Sequence, residues 1–155
     1  MKKAVVILLL LSLALTCLCS CSLLLSSLSP KSNVERLGDW SFEYDDIPDY
    51  YLLYFSFKDK DGEYVVSDAD VDIRIVDDDK NELYNGTISV SKSDFVIKQS
   101  MFYEKEKTLA EIRIKAADIK KGTSGSGVVY FTVHKNNAFS FKEQYIRVYA
   151  DLPVE

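Results

Sequence analysis

Cysteine is missing from most of this chain: Cys17, Cys19 and Cys21 are its three cysteines, and none follows. The body beyond them therefore holds no disulfide, no thiolate metal site and no catalytic cysteine. Histidine is nearly as scarce. His134 stands alone, and one His without Cys cannot assemble the several N or S ligands that zinc takes. Basic runs are absent as well, with 19 Lys and Arg set against 24 Asp and Glu, which argues against nucleic acid as a partner. No Gly-x-Ser-x-Gly elbow occurs, and Ser124-Gly125-Ser126-Gly127 lacks the strand before it and helix after it that an elbow or phosphate loop requires. Amphipathic helical periodicity is also missing from the body, which removes parallel sheets with crossover helices from consideration.

What is present divides the chain in two. Lys2 and Lys3 precede an apolar run from Ala4 to Leu18, followed by a segment rich in Cys and Ser. This order of basic, apolar and small-residue regions is that of an export signal. Leu18-Cys19-Ser20-Cys21 is similar to the lipobox of bacterial lipoproteins, although Cys19 stands where Ala, Ser or Thr is commoner. The resemblance implies residues 1–21 as a lipoprotein signal peptide and Cys21 as the lipidated first residue of the mature chain. Loss of Lys2 and Lys3 would then leave 17 basic residues against 24 acidic ones, a net charge of -7.

Two alternatives stay open. The uncharged stretch from Ala4 to Leu28 is long enough to remain as an uncleaved helical anchor across about 30 Å of hydrocarbon, and cleavage near Ser27 would give plain secretion. Each places the body on the extracytoplasmic face of the membrane or beyond it, since Lys2 and Lys3 favour the cytoplasmic side. Residues 22–39, with Ser26, Ser27, Ser29, Pro30, Ser32 and Asn33, read as a flexible tether.

From Trp40 the dominant signal is alternation with period two, the mark of half-buried strands. It appears in Trp40, Phe42 and Tyr44; in Tyr51, Leu53, Phe55 and Phe57; in Val71, Ile73 and Ile75; and in Ala110, Ile112 and Ile114. It is clearest in Val129, Phe131 and Val133 and in Ile146, Val148 and Ala150. Asn85-Gly86 suits a hairpin turn, but Tyr84, Gly86, Ile88 and Val90 would share one face of a continuous strand with a bulge, and the continuous strand is preferred. The fold expected is all-β: a single immunoglobulin-like antiparallel β-sandwich of seven or eight strands over residues 40–155, after an N-terminal signal or anchor helix.

On Leu18 to Cys21, on Tyr50 to Phe57 ending in Lys58-Asp59-Lys60-Asp61-Gly62, and on Tyr145 to Pro153, the chain resembles the small surface lipoproteins of Gram-positive bacteria that carry one immunoglobulin-like domain. The resemblance implies a fold and a place at the cell envelope; it carries no site.

Candidate sites come from the residues themselves. Asp68, Asp70 and Asp72, with Asp77 to Asp79, offer the oxygen clusters that calcium takes, yet Ile73 stands where an EF-hand needs Gly. Solvated charges at a sheet edge explain the same residues, so neither a metal site nor a cofactor is expected. The richer signal is aromatic. If the last two strands pair with Tyr130 facing Tyr149, Thr132 facing Arg147 and His134 facing Tyr145, a stripe of Tyr and Arg lies on the side away from the core. Both residue types are enriched at binding hot spots. Tyr130, Tyr145, Arg147 and Tyr149 are thus the candidate binding surface, and no catalytic residue is assigned. The function expected is a non-catalytic, membrane-tethered module that binds another macromolecule, such as an envelope protein, or supports an envelope complex. The alternatives are a carbohydrate-binding module, with or without calcium, and a small envelope hydrolase, which would need a cleft that one sandwich of this length rarely encloses.

Overall fold

The computed structural model describes residues 34–45, 49–99, 106–135 and 139–155. The signal peptide 1–21, Cys21 and residues 22–33 of the tether lie outside them. Two antiparallel sheets form a β-sandwich. The first holds β1 (Arg36–Asp45), β2 (Tyr50–Lys58), β7 (Glu106–Lys115) and β6 (Phe95–Gln99) in that order, with the short β3 (Tyr64–Val65) paired to β2. The second holds β10 (Gln144–Tyr149), β8 (Ser126–Lys135), β4 (Ala69–Asp77) and β5 (Glu82–Val90), with β9 (Phe139–Ser140) paired to β8. The strand order is the one that immunoglobulin-like sandwiches share, an ABED sheet facing a GFC sheet extended by one strand. The seven or eight strands expected are the eight long ones, and β3 and β9 add two of two residues each.

Alternation in the sequence becomes alternation in burial. Along β8 every second residue from Gly127 to Lys135 is buried, and along β4 Ala69, Val71, Ile73, Ile75 and Asp77 are buried while Asp72 and Arg74 are exposed. Facing rows of Leu53, Phe55 and Phe57 on β2 and of Val129, Phe131 and Val133 on β8 fill the core, all at most 1% exposed. Each such side chain contributes about 1.5–3 kcal/mol through burial. Phe55 meets Phe57 edge to face at 5.3 Å, and Trp40 meets Phe131 at 6.2 Å across the sheets, geometries that add to area burial.

Three features differ from expectation. The first strand begins at Arg36, with Val34 buried ahead of it, so ordered chain reaches into the stretch 22–39 read as tether. Serine and asparagine end the tether signal at residue 33, and Glu35 already donates its N–H to Lys58 O. β5 is continuous, as preferred, and its bulge is at Leu83: Tyr84 pairs with Ile75 and Glu82 with Val76, so Leu83 is the extra residue. Its burial closes one end of the core.

The third difference is the register of the last two strands. Tyr145 pairs with Tyr130, Arg147 with Val128 and Tyr149 with Ser126, while His134 pairs with Ser140. The expected pairs Tyr130–Tyr149, Thr132–Arg147 and His134–Tyr145 are therefore wrong. The chain reverses earlier, because Phe139 pairs with Lys135 and Phe141 returns to the core to pack on Phe57 at 6.0 Å. The displacement is an even number of residues, so every side chain keeps its face.

Among the described residues every buried apolar side chain lies between Val34 and Leu152, and Ser32–Glu155 forms one compact unit, so this fragment carries its own core. In it, Phe131→Ala should cost about 3–5 kcal/mol through transfer and cavity terms, whereas exposed Tyr149→Ala should stay within about 0.5 kcal/mol of the parent; urea unfolding measures both.

Candidate functional site

The outer face of the second sheet is built from cross-strand rows. In one, Asn85, Arg74, Tyr130 and Tyr145 stand side by side on β5, β4, β8 and β10. The Arg74 guanidinium lies 4.6 Å from the centre of the Tyr130 ring, a cation–π contact between directly opposed residues. The structure thus brings Tyr130 and Tyr145 together. Arg147 lies two residues along β10, its Nη1 2.7 Å from Asp78 Oδ1 and its guanidinium 5.8 Å from the Tyr149 ring. Tyr145 and Tyr149 are 70% and 77% exposed. All four candidate residues share one face, with Tyr130 half-buried at its centre.

Two further rows account for the acidic residues. Asp70 accepts a hydrogen bond from Ser89 Oγ at 2.6 Å, and Asp72 accepts one from Thr87 Oγ1 at 2.6 Å and contacts His134 Nε2 at 2.7 Å. The Thr87 hydroxyl, then His134, holds the Asp72 carboxyl below its usual range. Asp68 caps the Lys92 N–H. Each acid of this period-two run is occupied by a protein donor. Among the described residues no three His, Asp or Glu side chains converge on a point that would hold a metal ion.

Asp77 has a structural role that its charge run concealed. It is buried at the end of β4 and accepts from Asn81 N, Asn81 Nδ2 and Thr123 N at 2.8, 2.9 and 3.1 Å. The Thr123 hydroxyl in turn donates to Asp79 at 2.6 Å. Burial by itself would raise the Asp77 carboxyl, but the Asn81 and Thr123 donors outweigh it and hold it down at about 2. A Cβ on Gly122 would come within 2.7 Å of Asp77 Oδ2, so only glycine lets this connection close over the carboxylate. Beside it, Leu152 is buried and Gly122 bridges Val154, while the Tyr51 hydroxyl of the first sheet donates to the Asp151 carbonyl. Burial, reinforced by Tyr44, Asp151 and Asp49, pushes the Tyr51 phenol up to about 12, so it remains a donor at neutral pH.

Two concave regions escaped the sequence because distant strands supply their walls. A groove of about 790 Å³ at the Asp77 end is lined by Tyr44, Tyr51, Ile119, Leu152 and Pro153. One of about 750 Å³ on the first sheet is lined by Asp39, Lys58, Tyr64, Glu106 and Lys107. In the second, Tyr64 donates to Asp39 at 2.9 Å and Lys107 stands 3.4 Å from the same oxygen. Tyr64 and Lys107 are thereby committed to Asp39. Exposed aromatics were the legible signal, and the structure concentrates four of them, Trp40 and Tyr44 on β1 and Tyr145 and Tyr149 on β10, where the edges of the two sheets meet; Phe139, on β9, lies at the other end of β8 from Tyr149.

Comparison with known proteins finds no matching family model, no similar curated protein and no similar solved structure.

The Asp77 carboxylate gives a pH prediction. Its folded pKa lies below the ordinary value of 3.8, so its stabilisation is present above that value and is lost as pH falls towards about 2. Asp77→Asn should lower Tm by several degrees at pH 6 and flatten the fall in Tm between pH 4 and pH 2; thermal melts across that range test it.

Proposed function

We propose that this protein is a non-catalytic binding module, held at the extracytoplasmic face of a membrane by lipid on Cys21, that engages another macromolecule through Tyr130, Tyr145, Arg147 and Tyr149. The observation carrying this reading is the concentration of exposed aromatic side chains on one side of the sandwich, next to an arginine. Isolated surface apolar residues are ordinary, but a grouped set marks an interaction site. Tyr and Trp present large rigid areas at low entropic cost.

Strand direction supports the same reading. Val34 and Arg36 stand at one end of the sandwich, beside Lys58, while Tyr149 and Ser126 stand at the other, beside the Asp77 turn. Strands of nine or ten residues separate the two ends by about 30 Å. Tyr149 thus lies at the end of the domain remote from Val34, where the described chain begins.

Two measurements test this. Full-length protein in its source cells should incorporate a fatty-acid label and sediment with membranes, and Cys21→Ser should lose both. The fragment 32–155, immobilised, should retain a specific envelope protein from detergent extracts, with retention falling at least about tenfold in Tyr145→Ala/Tyr149→Ala, as befits the loss of two hot-spot side chains. Equal retention by the variant would remove this surface from consideration.

A further inference from the structure

The edge beside these tyrosines carries a more specific message, one that deepens the reading of this face as a contact surface. Four long strands border the sheets: β1 and β6 in the first, β10 and β5 in the second. Exposed edges invite pairing with other chains, and proteins blunt them with bulges, charges, prolines or short length. β1 is blunted by a register break between Leu37 and Trp40 and by Asp39, Glu43 and Asp45. β6 carries Lys98, ion-paired to Glu43 of β1, among its described residues. β5 carries the Leu83 bulge and Glu82. β10 is the least protected of the four: Gln144-Tyr145-Ile146-Arg147-Val148-Tyr149 runs in unbroken register, without proline, glycine or acid, and its one charge, Arg147, is paired with Asp78 of the same chain. Beyond it the chain leaves the edge, since Leu152 donates to Gly125 O and Glu155 to Gly122 O across the end of the sandwich.

We propose that β10 pairs antiparallel with β10 of a second copy of this chain, about a two-fold axis through Ile146, so that Tyr145 of each copy opposes Arg147 of the other. The occupant follows from complementarity along the strand. A two-fold axis normal to the sheet preserves the faces, so opposed residues must be an even number apart or identical. Centring on Arg147 would set two guanidinium groups directly against each other, which is destabilising. Centring on Tyr145 or on Val148 would keep only three residues of the strand paired, 144–146 or 147–149, because the strand ends at Gln144 and Tyr149. Centring on Ile146 pairs Gln144 to Val148 throughout and makes two Tyr–Arg contacts. The same face already contains that contact, since Arg74 and Tyr130 are directly opposed with the guanidinium 4.6 Å from the ring centre.

The backbone supplies the hydrogen bonds and the Tyr–Arg pairs set the register, as in other strand-addition contacts.

The fragment 32–155 contains no cysteine, which makes the register directly testable. Tyr145→Cys and Arg147→Cys proteins, prepared singly and mixed under mild oxidation, should give the mixed 145–147 disulfide in several-fold excess over either like pair, because directly opposed Cβ atoms lie within disulfide reach. The unmodified fragment should sediment as a concentration-dependent dimer, and Arg147→Glu should shift it to monomer. A fragment that stays monomeric at all concentrations, or crosslinks that favour 147–147 or show no preference, would overturn the proposal. A monomer that still retains an envelope protein through Tyr145 and Tyr149 would sink self-pairing alone. A dimer that retains nothing would sink the heterologous reading and leave self-pairing intact.

Discussion

Everything in this sandwich depends on one apolar contact, the apposition of the β2 row Leu53, Phe55 and Phe57 with the β8 row Val129, Phe131 and Val133. Antibody domains reinforce the corresponding contact with a disulfide and a tryptophan on the third strand. Here the body has no cysteine and its lone tryptophan, Trp40, lies on the first strand. Burial of branched and aromatic side chains must therefore hold the sheets together unaided, and β2 answers with Tyr51 and Leu53 to Phe57 nearly sealed from water.

That reliance explains how polar groups are used around the core. Where chain must close over the apolar interior, a buried side-chain oxygen gathers the backbone. Asp77 does this at one end by collecting Asn81 and Thr123, and Ser56, fully buried, does so on the first sheet by accepting the Asp39 N–H at the β1 bulge. Each device satisfies backbone donors that would otherwise be stranded by an irregularity. On the outer faces, acids are matched to hydroxyls and bases across strands, as in Ser89–Asp70 and Thr87–Asp72. The acidic surplus of the chain is thus largely structural or solvated. The exposed tyrosines of β10 leave large apolar rings in water, and for that reason they carry the functional reading.

Much of the body was legible from the residues because period-two burial writes itself into composition. The strands from β2 to β8, the continuous β5 and the outward side of Tyr130, Tyr145, Arg147 and Tyr149 all follow from alternation, which depends only on local geometry. Misjudgements fell where a non-local contact intervenes. Phe141 was invisible as a core residue until β8 and β2 stood on either side of it, and its return onto Phe57 is what draws the last strands into register. Asp77 looked like one of three solvated loop acids because its partner Thr123 is 46 residues away.

The sequence by itself determined a cysteine-free body of short amphipathic strands, the face each side chain takes, and the chemistries that lack the residues to operate. Those properties are set by single residues and their near neighbours. Tertiary structure alone decided the strand order, the pairing of Tyr145 with Tyr130 rather than Tyr149, and the gathering of exposed aromatics where β1 meets β10. These depend on which distant segments share a surface, and that is fixed only when the two sheets close over one core.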